Sequence, residues 1–188
     1  MIDRIIDEVK DAIAAAVEGT DNIITALRNV VRNQITGVVK DIGDIGTAIE
    51  DAISGVAEGA VKGASGVVTS TTEATKNIVH SAIEGASDAG IDTLTAVRNV
   101  ARGAISGTAK VGGDLALASV AAVEGAVEAA TRFGADASES VKSAVMGVIL
   151  AADQIGREAG ATVRKALMGA ASLPRDVVEK AINGRAKK

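Results

Sequence analysis

RGAISGTAKVG (102–112), GDLALASVAAV (113–123) and EGAVEAATRFG (124–134) are three consecutive units of an eleven-residue repeat, and their period decides the fold. The frame runs without gaps from HSAIEGASDAG (80–90) to MGAASLPRDVV (168–178). The tenth place is always apolar: Ala89, Val100, Val111, Ala122, Phe133, Ala144, Ile155, Ala166 and Val177. The eleventh never carries a polar side chain: Gly90, Ala101, Gly112, Val123, Gly134, Val145, Gly156, Leu167 and Val178. Eleven residues fill three turns at about 3.67 residues per turn, so places 10, 3, 7, 11 and 4 share one face of a helix. The period is helical and excludes the two-residue alternation of strands.

The frame extends toward the amino terminus. TALRNVVRNQITGVVKDIGD (25–44) matches TAVRNVARGAISGTAKVGGD (95–114), an offset that keeps the repeat if one four-residue phase shift falls between about 45 and 90. DNIITALRNVV (21–31) carries the pattern almost to the start. Residues 1–173 therefore read as one continuous repeat region, with Leu173-Pro174 as a firm boundary where proline begins a short terminal helix over 174–183 before a basic tail to 188. Gly19-Thr20-Asp21-Asn22, Gly43-Asp44 and Gly112-Gly113 are candidate turns, with Asp21 or Asp114 as caps.

The apolar side chains are of an unusual kind. Of 188 residues 47% are apolar, yet there is no Trp, Tyr or Cys and only one Phe. Ala, Val, Ile and 21 glycines do the work instead, a composition suited to closely spaced helices or a thin surface layer. Glycines at four-residue spacing (Gly55, Gly59 and Gly63; Gly103 and Gly107; Gly156 and Gly160) would let backbones approach, or would mark a relaxed surface. Because helical glycine costs up to about 1 kcal/mol relative to alanine, the stripe must be covered for the helix to persist. The expected fold is all-α: long amphipathic helices in a bundle or right-handed coiled coil, assembled as a homo-oligomer.

Chemistry is sparse. A single histidine, His80, and no cysteine exclude a His- or thiolate-based metal site within one chain. There is no phosphate loop and no dinucleotide fingerprint, so no catalytic residue, cofactor or enzymatic activity is expected. Nucleic-acid binding is disfavoured by the net charge of −4, by basic residues interleaved with acids and by the lack of stacking aromatics. The longest apolar run, Ala144 to Ala152, is far short of the roughly twenty residues that span a bilayer, and the MIDRIIDEVK start is not a secretory signal. Charge is uneven: residues 1–57 hold ten acidic and five basic side chains, while 157–188 hold eight basic and three acidic, a balance that suits a solvated tail or contact with anionic lipid or an acidic partner.

The candidate functional residues are the stripe itself (Val100, Val111, Val123, Phe133, Val145, Ile149 and Ile155) and the place-8 cations at its edge (Lys76, Arg98, Lys142, Arg164 and Arg175). With GVVTSTTEATKNIV (66–79), these features resemble the eleven-residue-repeat proteins that coat lipid: perilipins, synucleins and exchangeable apolipoproteins. The chain departs from them in its few lysines and negative charge. The period is also similar to that of right-handed coiled-coil stalks, and in size and Ala/Gly-rich character the chain resembles the membrane-associated stalk subunit of high-affinity [NiFe] hydrogenases. These resemblances imply a scaffold that self-assembles through its stripe and contacts a membrane, a lipophilic ligand or a larger protein complex. The alternative is a lipid-droplet or granule coat. Either implies a cytoplasmic protein peripherally attached to a lipid surface.

Overall fold

The computed structural model describes residues 2–17, 22–42, 46–65 and 71–185, and among them every regular element is helical. In chain order these are α1 (Ile2–Val17), α2 (Ile23–Ile42), α3 (Gly46–Ala64), α4 (Thr71–Asp88), α5 (Thr93–Lys110), α6 (Leu115–Arg132), α7 (Ala137–Ile155), α8 (Arg157–Gly169) and α9 (Arg175–Arg185). The all-α expectation holds. Helix length does not: the elements run 11 to 20 residues, not the length of a rod.

The turns explain why. Gly90, Gly112 and Gly134 adopt φ of 88°, 68° and 79°, in the left-handed region that only glycine enters cheaply. Each closes a Schellman motif, in which the following residue donates to the carbonyl five back: Ile91 to Ala86, Gly113 to Thr108, Ala135 to Ala130. Two residues after each glycine an aspartate caps the next helix. Asp92 accepts from the Thr95 amide, Asp114 from those of Ala116 and Leu117, and Asp136 from that of Glu139. Gly156, at φ 152°, joins α7 directly to α8. Gly90, Gly112, Gly134 and Gly156 thus stand at equal intervals, with one helix between each and the next.

Helices pack in two layers. α1, α3, α5, α7 and α9 lie side by side in one, and α2, α4, α6 and α8 in the other, each helix also touching its sequence neighbours across the layers. Consecutive helices reverse direction at short turns, so helices two apart run parallel. The glycine rows prove it: an added Cβ on Gly103 would meet the Ser54 carbonyl at 2.0 Å and one on Gly107 that of Glu58 at 2.8 Å, advancing together along α5 and α3. Gly59 and Gly63 of α3 sit likewise on Ile6 and Lys10 of α1, Gly147 of α7 on Arg98, and Gly125 of α6 on Lys76. The result is an α-solenoid, in which each unit buries its face only by stacking on neighbours.

Of the rows expected to permit close packing, those in α3 and α5 do so. Gly160 instead makes room for an ion pair between Asp153 and Arg164. Gly112-Gly113 is a turn, as expected. Asn22 caps α2 through the Thr25 amide, while Gly19-Thr20-Asp21 and Gly43-Asp44 lie outside the described residues, as do 66–70 and the tail 186–188. The terminal helix begins at Arg175, with the Pro174 carbonyl accepting from Val177 and Val178.

Candidate interaction surface

The nominated stripe divides into two groups. Val100, Val123, Val145 and Ile149 are buried at the centre of the core. Val111, Phe133 and Ile155 are not: Val111 and Phe133 are the C-cap residues of α5 and α6, Ile155 ends α7, and the last two are 41% and 44% exposed. The division follows from the paired repeat. Place 10 of one unit lands mid-helix and place 10 of the next lands on the turn.

Because successive turns alternate between the two edges of the array, the α5–α6 turn and the α7–α8 joint share an edge. There Gly113, Leu115 and Ile155 line a shallow groove of about 540 Å³ with Gly156 and Ala159. Leu117, one turn into α6, is 56% exposed. Leu117 and Ile155 are the two most exposed large apolar side chains among the described residues, and Leu117 stands outside the repeat's apolar places, where apart from Leu150 its unit-mates are polar or small.

The place-8 cations do not form one row. Lys76 of α4 pairs with Glu128 (2.6 Å) and Glu124 (3.8 Å) of α6, and the Glu128 hydrogen bond raises its pKa above the usual lysine value. Arg98 of α5 reaches Glu50 of α3 at 3.6 Å. Lys142 meets Glu139 on its own helix, and Arg164 of α8 holds Asp153 of α7 through two hydrogen bonds of 2.7 and 2.9 Å. Arg175 is exposed at the start of α9.

Lys76 and Arg98 belong to a lattice that clasps parallel neighbours within each layer. On the odd layer Arg102 bonds Asp51 (2.8 Å) and Ser54, and Lys110 bonds Glu58. On the even layer Arg28 bonds Asn77, Arg32 pairs with Asp88, and Arg132 pairs with Glu84 at 2.8 Å. A sequence signal for the lattice exists in opposite charges about two structural units and one turn apart, such as Arg132 and Glu84 at a separation of 48. Half-exposed pairs of this kind contribute about 0–1 kcal/mol each, so they fix register more than stability.

His80 lies in the even-layer lattice with its side chain only 11% exposed. Its Nδ1 has no hydrogen-bond partner, the nearest acidic oxygen being Glu84 Oε2 at 3.5 Å. Burial lowers the imidazole pKa below its ordinary 6.5, against the attraction of Glu84 and with the repulsion of Arg28 and Arg132.

Among the described residues no three potential metal ligands converge, and no helix is long and apolar enough to cross a membrane. Comparisons with family models, with curated proteins and with solved structures find no match to the chain.

Proposed function

We propose that the chain is a non-catalytic scaffold that acts as a folded solenoid and presents its outer faces and turn edges to partners. The observation that carries this reading is the cover on the stripe. Ala, Val and Ile side chains from α1 to α9 form one core within a single chain, so the large apolar face that the repeat generates is already spent. The outer surface of α1 supports the same reading. The carbonyls of Ser54 and Glu58 in α3 receive α5, and the residues that follow them, Gly55 and Gly59, face α1. In α1 the corresponding residues after Ile6 and Lys10 are Asp7 and Asp11, both exposed, so the face of α1 turned away from α3 is charged rather than built to receive another helix.

The decisive measurement is far-ultraviolet circular dichroism of the purified chain without lipid, over a hundredfold dilution and with added liposomes, beside sedimentation equilibrium. A free-standing solenoid stays strongly helical in every condition. Helix lost on dilution would mean that the stripe is covered by other copies, and helix appearing only with liposomes would mean a lipid coat.

One observation favours a second reading, peripheral lipid contact by the folded solenoid. Leu117 and Ile155 project at one edge, with Lys110 and Arg157 close by in sequence to meet lipid headgroups. Flotation with anionic liposomes that is abolished by L117S/I155S supports it; a wild-type chain that stays at the bottom of the gradient removes it.

A further inference from the structure

The single histidine stands where three helices of the even layer are joined. Arg28 of α2 reaches across to Asn77 of α4, one turn before His80; Glu84, one turn after, holds Arg132 of α6. Glu84 is shared, its Oε1 taking the Arg132 guanidinium at 2.8 Å while its Oε2 lies 3.5 Å from His80 Nδ1. The charged groups acting on the ring are Glu84 of its own helix, Arg28 of α2, and Arg132 and Glu128 of α6; none comes from α3 or α5. The neutral ring therefore fits between two guanidiniums, and the two carboxylates acting on it are already engaged, Glu84 by Arg132 and Glu128 by Lys76.

We propose that His80 is an acid-sensitive pin of the α2–α4–α6 layer: a proton taken up from solvent at its buried Nδ1 draws Glu84 from Arg132 and adds a cation between Arg28 and Arg132, loosening the layer. The sign follows from linkage. The lowered pKa of the folded state means that the unfolded chain binds the proton first as pH falls. Stability is full above about pH 6.5 and declines as pH drops through that value toward the folded one, levelling off only when both states are protonated. Each unit of depression makes the folding constant tenfold smaller at the acid end.

Being the sole histidine, His80 gives one Cε1 proton resonance, so its titration is read directly in the wild-type chain. It titrates below 6.5, E84Q moves it lower, and R132Q moves it higher. Thermal melts from pH 8 to pH 5 show a decline in wild type that H80Q lacks. A wild-type midpoint at or above 6.5, or parallel melting profiles for wild type and a folded H80Q, overturns the proposal. If H80Q does not fold, the wild-type titration and its shifts in E84Q and R132Q decide alone.

Discussion

Gly103 to Ala adds one methyl group where α5 rests on α3, and the structure sets its cost. The new Cβ stands 2.0 Å from the Ser54 carbonyl oxygen and 2.8 Å from the carbonyl carbon, whereas ordinary contact begins at 3.4 Å. Both obstacles are backbone, so no rotamer change relieves them. The helices must part by about 1.4 Å, the difference between 3.4 and 2.0 Å, and a gap of 0.5–1 Å already forfeits a quarter to a half of a dispersion well. Both helices are densely buried there, Ile53, Val56, Ala57, Val100 and Ala104 all fully so. Overpacking of this severity costs about 3 kcal/mol or somewhat more, and the better helix propensity of alanine returns up to about 1 kcal/mol. The net loss is about 2–3 kcal/mol, equivalent to roughly 4–12 °C in melting temperature for a chain of this length. Gly37 to Ala in α2 is the control, because a Cβ there meets nothing within 4 Å and only the propensity gain of about 0.5–1 kcal/mol remains. Urea unfolding followed at 222 nm on both variants reads the contrast. If G103A is as stable as wild type, the close approach of α3 and α5 is wrong and the glycine row is a relaxed surface after all.

Two further substitutions separate the roles that the repeat merges. Asp114 to Ala removes the acceptor for two amides at the start of α6 and lowers stability by about 1 kcal/mol in the same unfolding assay; a neutral result means that the cap is dispensable. Aspartate at Val145, which is fully buried, unfolds the chain or costs several kcal/mol, whereas aspartate at half-buried Val111 on the α5 C-cap costs about 1 kcal/mol, and equal effects at the two sites would contradict their division into core and turn.

The all-helical class was legible in the period of the sequence; of the nominated stripe, Val100, Val123, Val145 and Ile149 are buried inside the single chain, a cover the repeat alone does not specify, while Phe133 and Ile155 are exposed. The fold's true unit was legible too, but in a feature that reading at eleven residues averages away. The eleventh place alternates between glycine (Gly90, Gly112, Gly134, Gly156) and a larger residue (Ala101, Val123, Val145, Leu167), and an acid follows each glycine two places on: Asp92, Asp114, Asp136, Glu158. Glycine then acid is the ending of one helix and the start of the next. A uniform eleven-residue frame sees only that both kinds of residue are non-polar, and it extends a rod through positions where the backbone turns over. What no local pattern contains is the partner of each stripe. Burial against the second helix along is a property of the stacked array, and the place-8 cations acquire their acids by the same long-range route, as Arg98 does in reaching Glu50.

Position in the array is written on the residues outside the stripe. α1 buries a single row, Ile5, Ile6, Val9, Ile13 and Val17, and exposes Asp3, Arg4, Asp7, Glu8, Lys10 and Asp11. α3 is buried without interruption from Ala52 to Val61, because Gly55 and Gly59 take the places of Asp7 and Asp11 and neighbours cover it on more sides. A charge of the α1 kind put into α3 should therefore convert an inner helix into an end. Gly59 to Asp does this at the point where a Cβ would stand 2.5 Å from the Ile6 carbonyl oxygen. It sets a carboxylate against the α1 backbone but leaves the opposite side of α3, which receives α5, as it was. Since stability in such an array is a sum of unit and nearest-neighbour terms, α1 should detach while α5 to α9 remain folded. Limited proteolysis then releases an amino-terminal peptide of about the length of α1, and helical signal falls by roughly that one helix. Complete unfolding of G59D would show that the helices form one indivisible cooperative unit, and an unchanged protease pattern would show that α1 does not rest on Gly59 at all.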